Sequence, residues 1–275
     1  PLTALKLAEI YTEAGVPPGA FNVVQGAAKT GAMLVGHPDV AKVTLTGSVD
    51  TGKRVMALAA DDLKKITLEL GGKSPIVVFD DADFDNALNA ALVGNFYSSG
   101  QVCSNGTRVF VHESLHKDFV AALKERTAAI RVGDPFDEET QLGPLVSREH
   151  RDKVLDYLEQ AKKSGARHVC GGDVIADGPL ANGYYVTPAV FADCRDDMSF
   201  VRDEVFGPLM AVLSFRSEDE AIERANLTPY GLSAAVFSKN FNRAHRIANA
   251  LQAGIVWIND YNVTPAEVPF GGYKQ

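Results

Sequence analysis

Cys103 is the residue whose surroundings best suit covalent chemistry. It lies in the polar, glycine-flanked run Gly-Gln-Val-Cys-Ser-Asn-Gly at residues 100–106. Structural cysteines usually lie among apolar neighbours, whereas a loop thiolate beside free backbone N–H groups can act as a nucleophile. A loop cysteine without a chemical role is the alternative. Cys170 and Cys194 lie beside strand-like runs, and we assign no chemistry to them.

Glu69 is the candidate general base. It stands in an apolar strand-like run that continues into Leu-Gly-Gly-Lys at residues 70–73. Burying an unpaired carboxylate is unfavourable, and a carboxylate removed from water accepts a proton more readily, as a general base must. The equally weighted alternative is a strand-end glutamate that points to water or pairs with Lys73.

The segment 46–52, Thr-Gly-Ser-Val-Asp-Thr-Gly, lies between a predicted strand and a predicted helix. Gly47 lets a ligand approach the backbone closely, and the helix N-terminus offers unpaired N–H groups to a phosphate. Ser48 acting simply as the N-cap of the helix is the alternative. The segment is not the Gly-x-Gly-x-x-Gly fingerprint of dinucleotide sites.

A fourth segment, Glu-Val-Phe-Gly-Pro at residues 204–208, combines a carboxylate with an aromatic ring and a Gly-Pro turn. Glu204 could bind the hydroxyl groups of a ribose, and Phe206 could pack against a flat ring. An ordinary strand entrance is the alternative.

Alternating helix and strand patterns must position these residues. Helices are predicted at 2–14, 30–36 and 50–60, and strands at 21–24, 42–46 and 65–70. Such alternation predicts a parallel sheet with right-handed crossovers, resembling the second half of a Rossmann-type dinucleotide domain. Further strands are predicted at 74–79, 108–112, 209–215, 233–238 and 254–259, with helices at 84–97, 115–130, 144–165, 218–225 and 243–251.

The fold class predicted is therefore α/β, in two domains. The double glycine at 71–72 permits a sharp reversal of the chain, and 275 residues suffice for roughly two domains. We expect residues 1–71 to be the C-terminal half of a dinucleotide-binding, parallel-sheet domain. Residues 72–275 then form an α/β catalytic domain.

Composition excludes several classes of function. An apolar fraction of 46 % and a charged fraction of 23 % are typical of a folded globular protein. A net charge of −8 without a Lys/Arg cluster argues against binding to nucleic acid or an anionic membrane. Neither a membrane span nor a signal peptide is visible. Three cysteines without paired spacing indicate a reducing compartment, so we expect a cytoplasmic protein.

Taken together, six motifs resemble those of the NAD(P)-dependent aldehyde dehydrogenase superfamily. They are Phe-Asn-Val-Val at 21–24, Thr-Gly-Ser at 46–48, Leu-Glu-Leu-Gly-Gly-Lys at 68–73, Gly-Gln-Val-Cys at 100–103, Glu-Val-Phe-Gly-Pro at 204–208 and Pro-Phe-Gly-Gly-Tyr-Lys at 269–274. The resemblance runs from one end of the chain to the other. The separation of 34 residues between Glu69 and Cys103 fits the pattern of the superfamily.

The resemblance implies a mechanism and a cofactor. Cys103 would attack an aldehyde to give a thiohemiacetal, whose oxyanion would be held by the Cys103 N–H and by an Asn upstream of residue 1. Hydride transfer to NAD would leave a thioester, which water activated by Glu69 would hydrolyse. The same resemblance assigns cofactor contacts to Gly47, Ser48, Gly52, Gly71, Glu204 and Phe206. NADP stays an alternative cofactor.

Within the superfamily, residues 100–111, 194–198 and 257–259 look most like the betaine aldehyde dehydrogenase branch. The substrate of that branch carries a quaternary ammonium, which aromatic faces bind with roughly 0.5–2 kcal/mol each. Tyr261 is the candidate wall for this cation, with Asp260 adding attraction, although Tyr261 could instead pack in its loop. The substrate 4-trimethylaminobutyraldehyde, another aminoaldehyde or a semialdehyde is the alternative.

Two further expectations follow from the resemblance alone. Potassium would bind backbone oxygens near Leu63, and the full-length protein would form a homodimer or homotetramer. The first cofactor-binding units and the C-terminal oligomerisation arm of the superfamily are missing. We therefore expect a fragment of a longer chain, and a catalytically incompetent fragment with only a structural role is the third hypothesis.

Overall fold

The chain divides into two compact units, the first ending at Leu70 and the second beginning at Gly71. The structure, a computed structural model, describes residues 2–275. Both units alternate helices with parallel strands, which confirms the predicted α/β class. Among the described residues, no helix is both long and apolar enough to cross a bilayer.

The first unit places two parallel strands beside each other. Its elements are α1 (Leu2–Glu13), α2 (Ala28–Val35), β1 (Lys42–Thr46), α3 (Val49–Ala60) and β2 (Lys65–Glu69). Thr46 and Glu69 are register partners at the end of the pair. The strand predicted at 21–24 is wrong, because that segment is irregular. Phe21 instead packs edge-on against Tyr11 of α1, with 4.7 Å between ring centroids.

The second unit is built on one large sheet. Its elements are β3 (Pro75–Val78), α4 (Phe84–Phe96), β4 (Arg108–His112), α5 (Glu113–Ala128), α6 (Arg148–Lys163), β5 (Arg167–Cys170), β6 (Ala189–Ala192), α7 (Ser199–Arg202), β7 (Leu209–Phe215), α8 (Glu218–Asn226), β8 (Ser233–Phe237), α9 (Phe241–Ala250) and β9 (Ile255–Ile258). The strand order is β5-β6-β7-β4-β3-β8-β9, and every pair is parallel except β5 with β6.

Strand-like runs lie beside Cys170 and Cys194, but β5 and β6 are not among the predicted strands. The first half of β5 is exposed at Arg167 and His168, so it lacks the apolar pattern of a buried strand. Strand β6 has four residues, all buried, and so short an apolar run is not diagnostic of a strand. Pairing places both strands in the sheet, since β5 pairs with β6 and β6 pairs with β7.

Helices cover both faces of the large sheet. Ile76 and Val78 of β3 pack with buried residues of α4 and α5 on one face. Val77 packs with buried residues of α6, α8 and α9 on the other. Because β3, β4 and β8 are parallel and adjacent, the segments that precede them meet at one edge of the sheet. That edge gathers residues 71–74, 101–107 and 229–232.

A buried arginine fastens this edge to a helix. Arg108, at the start of β4, is 2 % exposed. Its guanidinium donates to the carbonyl oxygens of Lys73 at 2.9 Å, Arg224 at 3.1 Å and Ala225 at 2.7 Å. The last two carbonyls belong to the C-terminal turn of α8, where the helix dipole favours a cation.

Lys73 is a second buried cation beside the first. Burial, with a smaller contribution from the positive charge of Arg108, lowers the pKa of Lys73 to about 7. The carboxylates of Glu204 and Asp203 oppose that shift. A lysine in such surroundings can lose its proton near neutral pH.

We predict that Arg108→Met destabilises the chain by about 3 kcal/mol or more, since three buried carbonyls lose their donor. Urea unfolding followed by the fluorescence of Trp257, the single tryptophan, measures the change. Arg126→Met is the matched control, because Arg126 pairs with Asp85 at the surface and should contribute about 1 kcal/mol or less. Equal losses for the two variants would contradict the role given to Arg108.

We also predict that stability rises with pH between about 7 and 10 because of Lys73. In that range unfolded Lys73 holds a proton that the folded chain has released, so higher pH favours folding by up to about 1.4 kcal/mol per pH unit. Lys73→Met should flatten this rise in urea-unfolding curves measured at successive pH values. The exposed Lys163→Met is the control for loss of one charge, and an unchanged slope in Lys73→Met would refute the assignment.

Candidate active site

Cys103 lies at the tip of a tight turn just before β4. The N–H of Asn105 donates to the carbonyl of Val102 at 3.1 Å, which closes a β-turn with Cys103 and Ser104 at its centre. Cys103 is half-buried. The thiol therefore belongs to an ordered turn that is partly shielded from water.

The backbone that leads into this turn is held in an uncommon conformation. Ser98, Ser99 and Gly100 are consecutive residues with φ values of 52°, 58° and 73°. The Ser99 hydroxyl donates to the carbonyl of Gly143 at 2.9 Å, and a Cβ on Gly100 would lie 2.3 Å from the carbonyl carbon of Gly207. Left-handed non-glycine residues cluster at functional sites, where the surrounding structure imposes them.

Two glycines join the cysteine turn to a carboxylate. The N–H of Gly72 donates to Oε1 of Glu204 at 3.0 Å, and a Cβ on Gly71 would lie 2.3 Å from Oε2. A Cβ on Gly72 would lie 2.2 Å from the carbonyl oxygen of Cys103. The structure thus brings together Gly71, Glu204 and Cys103, three of the residues predicted for the site.

The Glu204 carboxylate is only half-exposed, and burial raises its pKa. The hydrogen bond from Gly72 and the positive charges of Lys153 and Lys73 oppose that rise. Phe206, two residues later, has a φ of 60°. Its carbonyl lies 2.6 Å from Nε2 of His150, whose ring also meets the Phe206 ring edge-on. Both predicted cofactor residues are held by neighbours within the second unit.

Tyr261 does not present the open aromatic wall predicted for it. Its side chain is only 5 % exposed, and its ring packs against Trp257 with 4.8 Å between centroids. The hydroxyl donates to the carbonyl of Ser104 at 2.6 Å. The alternative of packing within the fold therefore describes Tyr261. Asp260 is exposed and borders an apolar groove along β9, so its contact with a substrate stays a prediction.

Tyr97 is a candidate that the sequence analysis missed. It follows α4 directly, six residues before Cys103, and its side chain is 65 % exposed. Val93, one helical turn earlier, is also exposed, and both line a groove of about 480 Å³. In the sequence, the only signal for Tyr97 is its position as a large aromatic residue close to Cys103. That position does not indicate a binding role, because the sequence does not show whether the side chain is exposed.

The first unit holds the other predicted residues. Ser48 is the N-cap of α3, and its Oγ accepts the N–H of Thr51 at 3.3 Å. The N–H of Gly47 donates to the carbonyl of Glu69 at 3.0 Å, so Gly47 lies beside the half-buried end of β2. A helix N-terminus next to a parallel strand pair suits a phosphate. The backbone N–H groups at the start of α3 are the feature of this unit that suits the phosphates of a dinucleotide.

Two further residues of the first unit, Gly52 and Leu63, have defined settings, and the contacts predicted for them stay predictions. Gly52 is buried against Leu70, the residue after β2, because a Cβ there would lie 2.7 Å from a methyl carbon of Leu70. Its observed role is close helix–strand packing. Leu63 lies in the turn after α3, with a φ of 51° and a side chain 91 % exposed. No His/Cys/Asp/Glu cluster suited to a metal occurs among residues 2–275.

Comparison with known proteins identifies the family of this chain. The model of the aldehyde dehydrogenase family matches residues 1–275. A betaine aldehyde dehydrogenase from Brucella anthropi is 59 % identical over all 275 residues, which make up 56 % of its length. The chain therefore spans about half the length of this relative.

Solved structures agree with that result. A betaine aldehyde dehydrogenase double mutant from Staphylococcus aureus, in complex with NAD⁺, is 43 % identical with a TM-score of 0.97; the match covers 100 % of this chain and 55 % of that one. An aldehyde dehydrogenase from Bacillus cereus in its NAD⁺ complex is 46 % identical with a TM-score of 0.96, over the same shares of the two chains. By sequence and by structure, this chain belongs to the aldehyde dehydrogenase family.

Proposed function

We propose that the full-length protein oxidises an aldehyde to a carboxylate with NAD and uses Cys103 as its nucleophile. The observation that carries this proposal is the tight turn at Cys103, whose carbonyl lies against Gly72 while Gly72 itself binds Glu204. The same glycine thus links a nucleophile to a carboxylate suited to sugar hydroxyls. Membership of the aldehyde dehydrogenase family supports the reaction class.

In this proposal the Cys103 thiolate attacks the aldehyde carbon. A carbon–sulfur bond forms, and the carbonyl electron pair moves to oxygen, where the Cys103 N–H stabilises the charge. The oxyanion then re-forms the carbonyl as the hydrogen leaves with its electron pair, which gives a thioester. NAD held by Glu204 and Phe206 would supply the hydride acceptor for this step.

Glu69 completes the cycle as the general base. It takes a proton from water, the resulting hydroxide attacks the thioester carbon, and the carbon–sulfur bond breaks to release the carboxylic acid and the thiolate. Support comes from its position as the last residue of β2, where it is half-buried and its carbonyl is bonded to Gly47.

The residues present suit NAD in two places. Backbone N–H groups at the start of α3, with Gly47 and Ser48, would bind the pyrophosphate. Glu204 and Phe206, with Gly71, would bind the nicotinamide ribose and ring. The NAD⁺ complexes of the two related structures support NAD, and NADP stays the alternative.

Betaine aldehyde is the substrate that we propose, because a relative of that name is 59 % identical over the whole chain. Tyr97 replaces Tyr261 as the proposed aromatic face for the quaternary ammonium, since Tyr97 is exposed. Another aminoaldehyde or a semialdehyde is the alternative. Potassium near Leu63 and a homodimer or homotetramer stay predictions, to be checked by metal analysis and by light scattering of the full-length protein.

Cys103→Ala in the full-length protein should abolish NADH formation from any aldehyde, because no thiohemiacetal can form. Glu69→Gln should keep a first turnover of NADH but lower steady-state kcat by about 100-fold or more, as general-base catalysis is lost. Stopped-flow absorbance at the NADH band separates the burst from the steady state. Cys170→Ala, at a half-buried cysteine to which no chemistry is assigned, is the control.

Retained turnover in Cys103→Ala would refute the nucleophile. An unaltered steady state in Glu69→Gln would refute the base. If the full-length protein forms no NADH from any aldehyde, the remaining hypothesis is a catalytically incompetent chain with only a structural role.

Tyr97→Ala should raise KM for betaine aldehyde by roughly 2- to 30-fold, the range expected from the loss of one cation–π contact. KM for propanal, which carries no charge, should stay within about twofold. Steady-state kinetics with both aldehydes measures the split, and Phe136→Ala, at another exposed aromatic side chain, is the control. Equal changes of KM for both aldehydes would refute the cation contact proposed for Tyr97. A higher kcat/KM for propanal in the unmodified protein would argue against a quaternary ammonium substrate.

A further inference from the structure

The carbonyl of Ser104, next to Cys103, accepts two side-chain hydrogen bonds. The Tyr261 hydroxyl donates to it at 2.6 Å, and the Ser233 hydroxyl donates at 3.0 Å. All three residues are buried. Most backbone carbonyls in this sheet are bonded to backbone N–H groups, so two side-chain donors on one turn carbonyl are a specialised arrangement.

The Ser233 hydroxyl has one proton, which it gives to Ser104. In the 2.8 Å hydrogen bond between the hydroxyls of Ser74 and Ser233, Ser74 is therefore the donor and Ser233 the acceptor. Ser74 immediately precedes β3, and Ser233 begins β8, two adjacent strands in the middle of the sheet. The Ser233 donor on the Ser104 carbonyl is thus anchored to two adjacent strands of the large sheet.

Tyr261 is held equally firmly from the other side. It stands between Asn259 and Asn262, which have φ values of 55° and 60°. The side-chain oxygen of Asn262 accepts the Ser104 hydroxyl at 2.9 Å, so this second turn binds Ser104 through both its carbonyl and its side chain. A Cβ on Gly106 would lie 2.8 Å from the Tyr261 hydroxyl oxygen, and glycine provides the space.

Peptide geometry carries this restraint to Cys103. The Ser104 carbonyl and the Asn105 N–H belong to one planar unit, and that N–H donates to the carbonyl of Val102. The Val102 carbonyl in turn shares a plane with the Cys103 N–H, which points in the opposite direction. Fixing the first plane therefore fixes the direction of the Cys103 N–H.

We propose that Tyr261 and Ser233 are positioning residues that hold the Ser104 carbonyl and thereby aim the Cys103 N–H at the developing oxyanion. The inference rests on the proposed function of Cys103. Neither hydroxyl touches the reacting atoms. Their effect is exerted through two linked peptide planes, so it should appear in the chemical step and not in cofactor binding.

The test uses Tyr261→Phe, Ser233→Ala and the double variant of the full-length protein. Each single variant leaves one donor on the Ser104 carbonyl, so kcat for NADH formation should fall by about 3- to 10-fold. The double variant leaves none, and kcat should fall by about 100-fold, comparable to the loss of one oxyanion donor. KM for NAD should stay within twofold. Tyr185→Phe, at a buried tyrosine outside this cluster, is the control and should keep its kcat.

A second readout does not depend on activity. Amide hydrogen exchange of the peptide covering 100–107, followed by mass spectrometry, should rise at least tenfold in the double variant while peptides from β5 and β6 stay protected. Unchanged exchange and kcat in the double variant would overturn the inference. So would an equal rise of exchange throughout the second unit, or a parallel loss of NAD affinity, because either would reveal a general structural role. If the unmodified protein forms no NADH, the proposed function fails. The exchange data still decide whether Tyr261 and Ser233 restrain the cysteine turn through the Ser104 carbonyl.

Discussion

The burial of the Arg108 guanidinium is the interaction on which the second unit most depends. One side chain satisfies the terminal carbonyls of α8 and the carbonyl of Lys73, and these groups lie far apart in the sequence. A buried cation is tolerable only when its donors are used. Because Arg108 begins β4, the same restraint anchors the downstream end of the cysteine turn.

Just before Lys73, the chain can approach its neighbours closely only because residues 71 and 72 are glycines. Glycine at 71 admits the Glu204 carboxylate, and glycine at 72 admits the carbonyl of Cys103. The resulting edge of the sheet concentrates a thiol, a half-buried carboxylate and a lysine whose pKa is lowered to about 7. Groups with shifted pKa values cluster at functional sites, which supports the site proposed at this edge.

Rigidity distinguishes the cysteine turn from an ordinary loop. Its entrance has consecutive left-handed residues, its centre is closed by a backbone hydrogen bond, and its Ser104 carbonyl is bonded by Tyr261 and Ser233. Preorganised donors act in catalysis because they need not reorganise when charge develops. In the proposed mechanism, the sheet core fixes the direction of the Cys103 N–H group through the Ser104 carbonyl.

Local pattern determined much of this protein: most helices, the central strands and the glycine pair at 71–72 could be predicted, because period and residue type are local properties. The nucleophilic role of Cys103 stays a prediction. The segment at 21–24 and strands β5 and β6 could not, since pairing partners outside each segment decide which short apolar runs become strands. Burial likewise decided that Tyr261 is a support within the fold and that Tyr97 is an exposed aromatic face. Both tyrosines closely follow a regular element, Tyr97 after α4 and Tyr261 after β9, and only the packing of the tertiary structure determines which ring meets water.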